Sequence, residues 1–289
     1  MSYTLPDDVD RRPIAIDGAG TLGRKIATAY CAGGTDVRIF DVSAQQCESA
    51  RDHVAANLDR VRSLLGLEAS PAGALEIAAD LPSAVRGAWM VIEAVPEKLE
   101  LKRTVFGELD RIVEPDAILA SNSSSFSTSH LIDEVTHTER VLNTHYQQPP
   151  DLNAVELMSC GATDDGVIAA LVERLPRYGL VPFHVRRESD GFIFNRIWAA
   201  IKREALMVVQ EGVATPEDID GMWNIWVNAG LAPFEVMDRV GLDVVLDIEE
   251  HYAAARPGIP QGPRELLREY IGQGRLGVKS GRGFYEHTS

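Results

Sequence analysis

Gly18-Ala19-Gly20-Thr21-Leu22-Gly23 fits the pattern G-x-G-x-x-G, and Asp41 follows it at about the 20-residue distance expected of an acid that meets a ribose. Each glycine has its own task in such a turn. Gly18 permits the tight bend, Gly20 lets the backbone approach a pyrophosphate, and Gly23 lets the next helix pack on the strand. The helix N-terminus adds free N–H groups and a partial positive charge for the phosphates. A carboxylate at Asp41 accepts hydrogen bonds from ribose hydroxyls and repels a 2′-phosphate, which favours NAD over NADP. The bland alternative for Asp41 is a residue that ends a strand and caps the next turn. FAD is the rival dinucleotide, although its proteins usually need longer chains.

The glycine string alone is weak, because turns use glycine often; its surroundings give it weight. Residues 13–17 read as a short apolar strand, and the turn opens into a helix with Leu22, Ile26, Ala27 and Tyr30 at three- and four-residue spacing, stopped by Gly33 and Gly34. A second strand, 37–40, ends at Asp41, and Ser43 caps a long helix through residue 65. Further strands are expected at 89–95, 117–120, 141–145, 154–158 and 181–184, with helices at 81–86, 99–112 and 166–178. Strands alternating with helices imply parallel β-α-β units and a doubly wound, mostly parallel Rossmann-type sheet. Beyond residue 188 only helical patterns are expected, at 192–211, 216–228, 233–254 (broken near Gly241) and 265–272. The chain thus divides into an α/β domain over residues 1–188 and an all-α domain over 189–289.

Four further stretches matter together: 91–97 (VIEAVPE), 121–125 (SNSSS), 143–149 (NTHYQQP) and 191–196 (GFIFNR). With the glycine turn and the segment 279–285 (KSGRGFY), in that order along nearly the whole chain, they resemble the L-3-hydroxyacyl-CoA dehydrogenase family. The superfamily includes gulonate 3-dehydrogenase, lambda-crystallin and carnitine dehydrogenase. The resemblance implies that His145 takes the substrate hydroxyl proton and that Glu156 orients it. It places Ser124 near the substrate oxygen and nicotinamide, and Asn195 on the substrate. It puts Glu97, Lys102, Gln148 and Lys279 at cofactor-contacting positions, beside Gly18, Ala19, Gly20, Thr21, Leu22, Gly23 and Asp41 of the turn. The helical domain then supplies part of the substrate cleft and the contact of a homodimer.

These residue types suit the chemistry. Oxidising an alcohol requires a base at the hydroxyl, and neutral imidazole works near physiological pH. A carboxylate beside it fixes its tautomer, and Ser124 and Asn195 can polarise the developing carbonyl oxygen. Glu156 sits in the apolar run 154–158, where an unpaired carboxylate is costly. A histidine partner satisfies it, and an arginine is the structural alternative. Ser121 to Ser125 can otherwise be a plain polar loop, Asn195 a turn residue and Lys279 a solvated charge. His53, His130, His137, His184, His251 and His287 have no comparable setting. Trp198, Trp223 and Trp226 recur at helical spacing and read as core or subunit-interface residues.

Some positions depart from the family pattern. Gln148 stands where an asparagine near the nicotinamide is usual, and Gln147 replaces an aromatic. The helix after the second strand lacks the lysines of the acyl-CoA enzymes and offers Glu48, Asp52 and Asp59 against Arg51, Arg60 and Arg62. CoA phosphates favour basic partners. Asp17 puts an acid on the phosphate side of the turn, where the family usually has glycine. The resemblance implies a 3-hydroxyacyl thioester as substrate, and these departures point to a free hydroxy acid, sugar acid or specialised metabolite as the alternative. A non-catalytic NAD-binding protein is the alternative of another class.

The formal net charge of −15 argues against a duplex nucleic-acid binder, which needs a basic face. Cys31, Cys47 and Cys160 form no metal knuckle or redox pair and fit small buried positions in a reducing compartment. No apolar h-region opens the chain and no run approaches the roughly 20 apolar residues of a membrane span. A cytoplasmic enzyme with a small-molecule substrate, no metal, no nucleic acid and no membrane is the expectation.

Overall fold

The computed structural model describes residues 3–69, 71–227 and 232–287. The chain forms two compact units, Met1–Ile193 and Phe194–Ser289. The first holds an eight-stranded sheet, ordered β3-β2-β1-β4-β5-β6-β7-β8. Its strands are β1 (Ile14–Asp17), β2 (Val37–Phe40), β3 (Leu75–Ile77), β4 (Met90–Glu93), β5 (Ile118–Ser121), β6 (Val141–Gln148), β7 (Leu152–Ser159) and β8 (Val181–Val185). The helices between them are α1 (Thr21–Ala32), α2 (Ala44–Leu65), α3 (Leu81–Val85), α4 (Leu99–Ile112) and α5 (Asp165–Arg174).

Strands β1, β4 and β5 are buried at every residue, because helices cover both faces of the sheet. Ile14, Ile16 and Ile92 pack on one face with Ile26 and Tyr30 of α1 and Ala50 of α2. Ala15, Val91 and Leu119 pack on the other with Phe106 and Leu109 of α4. All three cysteines are free and buried, as their isolated spacing implied.

Three local readings change. Strand β3 is a three-residue edge strand, too short to carry a periodic signal. Strands β6 and β7 pair antiparallel, within a sheet whose other strand pairs are parallel. No helical segment separates them, so no right-handed crossover is available and the chain simply reverses. The helix expected at 166–178 stops at Arg174 and continues as a 3-10 turn, Leu175–Tyr178, because Pro176 has no N–H to donate.

The second unit contains α6 (Phe194–Gln210), α7 (Pro216–Val227), α8 (Pro233–Val240), α9 (Leu242–Ala255) and α10 (Gly262–Gly272). Asn228, the last residue of the expected second helix, lies outside the described residues. The core gathers Leu206, Phe234, Met237, Leu242, Leu267 and Phe284. Two buried aspartates fasten the C-terminal segment to it. Asp238 accepts from the N–H groups of Phe284 (2.9 Å) and Tyr285 (3.0 Å), and Asp220 from Phe234 N–H and the Tyr285 hydroxyl (both 2.9 Å). Among the described residues no helix is long and apolar enough to cross a membrane.

Candidate active site

The glycine turn joins the end of β1 to α1. Gly18 has φ +115°, and a β-carbon there would lie 2.4 Å from the Ala94 carbonyl oxygen. A β-carbon on Gly23 would lie 1.9 Å from the Gly18 carbonyl oxygen, so the first turn of α1 sits directly on the loop. One on Gly20 would meet nothing within 4 Å. Gly20 therefore borders open space at the start of α1, whose first turn holds no acid and no side-chain cap. That is a cradle for an anion, with open N–H groups and the positive end of the helix dipole facing it. Asp41 closes the far side. Its Oδ2 accepts from Ala19 N–H and its Oδ1 from Ser43 N–H, both at 2.8 Å, which holds a half-buried carboxylate beside the cradle. These residues fit a dinucleotide with free ribose hydroxyls.

A second cluster lies at the ends of β4 and β5. Glu93 is fully buried and Lys102 of α4 is 1% exposed. The Lys102 ammonium sits 2.7 Å from Glu93 Oε1 and 3.1 Å from Glu97 Oε2. Glu97 in turn accepts from the Ser123 hydroxyl (2.6 Å) and from the N–H groups of Ser124 (3.1 Å) and Ser125 (2.8 Å). Burial pushes the Glu97 carboxyl up, but the ammonium and these donors outweigh it and hold it below the ordinary glutamate value. Glu93 goes the other way: burial raises it, and the ammonium and the Ser121 hydroxyl only partly offset this. Lys102 thus points into the protein and shapes the 121–125 loop through Glu97. The Ser124 side chain is left exposed on that loop.

The third cluster is set by strand register. His145 of β6 and Glu156 of β7 are direct cross-strand partners, so both side chains rise from the same face. His145 Nδ1 lies 2.8 Å from Glu156 Oε2, with the two side chains 6% and 4% exposed. Glu156 also accepts from Gln147 Nε2 (3.0 Å) and from Ile193 N–H (2.8 Å). Donors converge on this acid from several sides, which suits an acceptor-only carboxylate and requires Nδ1 to carry the hydrogen. Nε2 is then the basic nitrogen, and no described residue hydrogen-bonds to it. The Phe192 ring stacks on the imidazole at 4.7 Å and 24°, from a backbone at φ +53° that few bulky residues adopt. Asn122 Oδ1 accepts from Tyr146 N–H (3.1 Å), which ties the serine loop to the histidine strand.

The remaining candidates are placed as follows. Ala19 is buried, Thr21 is exposed and Leu22 half-buried in the turn. Gln148 is exposed, its Oε1 accepting from Lys25 Nζ at 2.9 Å. Asn195 is half-buried in the first turn of α6, and Lys279 lies 2.5 Å from both Asp243 carboxylate oxygens, each within the second unit. The sequence reading assigned no role to Phe192, Gln147, Glu93, Ser121 or Ser123. All five lie inside the motifs singled out above, so their positions are visible in the sequence even though their contacts are not.

The chain matches two family models, the NAD-binding domain of 3-hydroxyacyl-CoA dehydrogenase over residues 13–189 and its C-terminal domain over 191–287. It is 33% identical over 280 residues to a 3-hydroxybutyryl-CoA dehydrogenase of Bradyrhizobium diazoefficiens, covering 96% of this chain and 95% of the relative. It is 30% identical over 283 residues to the 5-formyl-3-hydroxy-2-methylpyridine 4-carboxylate 5-dehydrogenase of Mesorhizobium japonicum, covering 96% and 91%. The crystal structure of (S)-3-hydroxybutyryl-CoA dehydrogenase from Ralstonia eutropha superposes with a TM-score of 0.85 at 31% identity, covering 96% of this chain and 99% of that one.

Proposed function

The chain belongs to the 3-hydroxyacyl-CoA dehydrogenase family, and from that premise we propose that it oxidises the secondary alcohol of a 3-hydroxyacyl-CoA-type substrate to a ketone. It is an NAD-dependent dehydrogenase. The observation that carries the assignment of the base is the 2.8 Å contact between His145 Nδ1 and Glu156, which leaves Nε2 basic. NAD, when bound, would supply the hydride acceptor. His145 Nε2 removes the hydroxyl proton, and Glu156 stabilises the imidazolium that results. Ser124 and Asn195 polarise the developing carbonyl oxygen. Gly18, Gly20, Gly23 and the start of α1 would hold the diphosphate, and Asp41 the ribose. Glu97, kept in place by Lys102, would lie on the cofactor side, and Gln148 and Lys279 would add further cofactor contacts.

We assign residues 1–188 to cofactor binding and 189–289 to the dimer contact and part of the substrate site. Met222, Ile225 and Trp226 lie at three- and four-residue spacing on α7 and are 59%, 80% and 81% exposed. A stripe of this kind supports a homodimer of this chain, and its exposure favours the interface reading of Trp226 over the core one. A cytosolic setting agrees with the three free, buried cysteines.

A second substrate reading is a free hydroxy acid or ring alcohol. It is favoured by α2, which carries no lysine, and by the pyridine-carboxylate dehydrogenase among the relatives. A screen for NADH formation with 3-hydroxybutyryl-CoA against free hydroxy acids separates the two. The His145→Ala variant should bind NADH normally and lose on the order of 10²- to 10⁴-fold in turnover. Wild-type rates in that variant refute His145 as the base. Tight NADH binding with no turnover on any hydroxy compound assigns the protein to non-catalytic binding instead.

A further inference from the structure

Asp17 is the last residue of β1, immediately before the glycine turn. It is 6% exposed, and no described residue donates a hydrogen bond to its carboxyl. Its parallel register partner across the sheet is Glu93, so two buried carboxyl groups stand side by side on one face. The charged groups that face it come from three elements. Glu93 of β4, Asp41 after β2 and Glu108 of α4 are all acids, and Lys102 of α4 is the one cation among them. That cation is already held by Glu93 and Glu97. Glu93 is also fixed by Ser121 Oγ at 2.7 Å and Val95 N–H at 2.9 Å. Asp17 is the member of the row with nothing to balance its charge.

We propose that Asp17 is a proton-linked determinant of cofactor affinity: its carboxyl must be neutral for the dinucleotide diphosphate to dock on the adjoining turn, so docking takes up a proton. The inference rests on the dinucleotide reading of Gly18 to Gly23 and Asp41. Physically, a dianionic diphosphate placed beside a buried, unpartnered carboxylate meets a like charge in a poorly screened environment. A neutral carboxyl removes that repulsion and adds an O–H donor. Burial first, then the Glu93 and Asp41 carboxylates, push the Asp17 carboxyl up to about 7, with Lys102 opposing. The switch therefore falls in the neutral range. Below it Asp17 is uncharged and affinity is full; above it each docking event must first protonate Asp17, and affinity declines.

The test is direct binding, without turnover. NADH is titrated by its fluorescence and ADP-ribose by calorimetry from pH 5.5 to 8.5, with the wild-type protein and with Asp17→Asn. ADP-ribose lacks the nicotinamide, so the protonation of His145 does not enter its profile. For the wild type, Kd should weaken about tenfold between pH 6 and pH 8 for both ligands, with proton uptake visible as a dependence of heat on buffer ionisation. In Asp17→Asn the Kd should stay near the low-pH wild-type value throughout. Asp17→Ala, which removes the carboxyl, should flatten the profile in the same way and stands in if the asparagine variant does not fold. A wild-type profile that is flat, or one that persists in both variants, overturns the inference while leaving the dinucleotide site intact. No binding of either ligand at any pH overturns the dinucleotide reading itself.

Discussion

Two pairs of buried titratable residues are built by the same device and behave oppositely. His145 and Glu156 are register partners across the antiparallel β6/β7 pair, and Asp17 and Glu93 are register partners across the parallel β1/β4 pair. In each, neighbouring strands place two side chains on one face near the functional end of the sheet. The first pair joins a ring N–H to an acceptor at 2.8 Å and defines one tautomer. The second joins two acids, which cannot both be comfortable as anions, and needs Lys102 and a proton to be tolerated. Register decides who meets; the chemical complement decides whether the meeting yields a base or a proton store.

The largest effect is expected where the complementary pair is made non-complementary. In Glu156→Gln the amide oxygen can still accept from Ile193 N–H, but its NH₂ then faces His145 Nδ1. The imidazole is driven to the other tautomer, with its hydrogen on Nε2, and cannot accept the substrate proton. Turnover should fall about 10³-fold or more, with NADH affinity preserved. Steady-state kcat measured alongside NADH fluorescence checks this. Retention of more than a tenth of wild-type kcat would show that the 2.8 Å contact is structural only.

A smaller effect tests the like-charge pair from its neutralising side. Lys102→Met keeps most of the buried aliphatic stem and removes the ammonium from Glu93 and Glu97. Losing one partner of a buried ion pair is expected to cost about 3 kcal/mol in urea denaturation at pH 7. The Ser123–Ser125 loop should also loosen, because Glu97 loses the contact that holds it. A change below about 1 kcal/mol would mean that Glu93 keeps a proton of its own and does not depend on the lysine.

The contrast also explains what could be read before the fold was known. The glycine turn was legible because its spacing is itself the structural requirement: the Gly18 and Gly23 β-carbons have no room. His145 was legible through its motif, and Glu156 through the cost of a carboxylate in an apolar strand. The reversal between β6 and β7 was not, since local patterns set an element's type and not the direction of its partner. Lys102 was assigned to a position that contacts cofactor, yet its ammonium lies inside the protein, because residue spacing does not tell which way a long side chain runs. Asp17 was visible as an acid immediately before the glycine turn. What could not be read was that Glu93, distant in sequence, stands beside it and turns a misplaced charge into a titrating one.

The smallest effect concerns stability, and its sign is fixed by linkage. An aspartate in the unfolded chain loses its proton near 3.8, whereas folded Asp17 holds it to about 7. Between these values the folded state binds more protons than the unfolded state, so this group's contribution to stability falls as pH rises. Above about 7 the full penalty is present and no longer changes. Asparagine at this position carries no such penalty. Asp17→Asn should therefore match the wild type in thermal stability near pH 4 and exceed it increasingly towards pH 7, with a plateau beyond. The gain at the plateau should be on the order of 2 kcal/mol, below the full linkage value because the site relaxes around the charge. Thermal melts of the cofactor-free protein across this range measure it. A variant whose advantage is constant with pH, or greatest in acid, would mean that Asp17 is ionised in the folded protein throughout and that the β1/β4 pair is not the proton store that its register makes it.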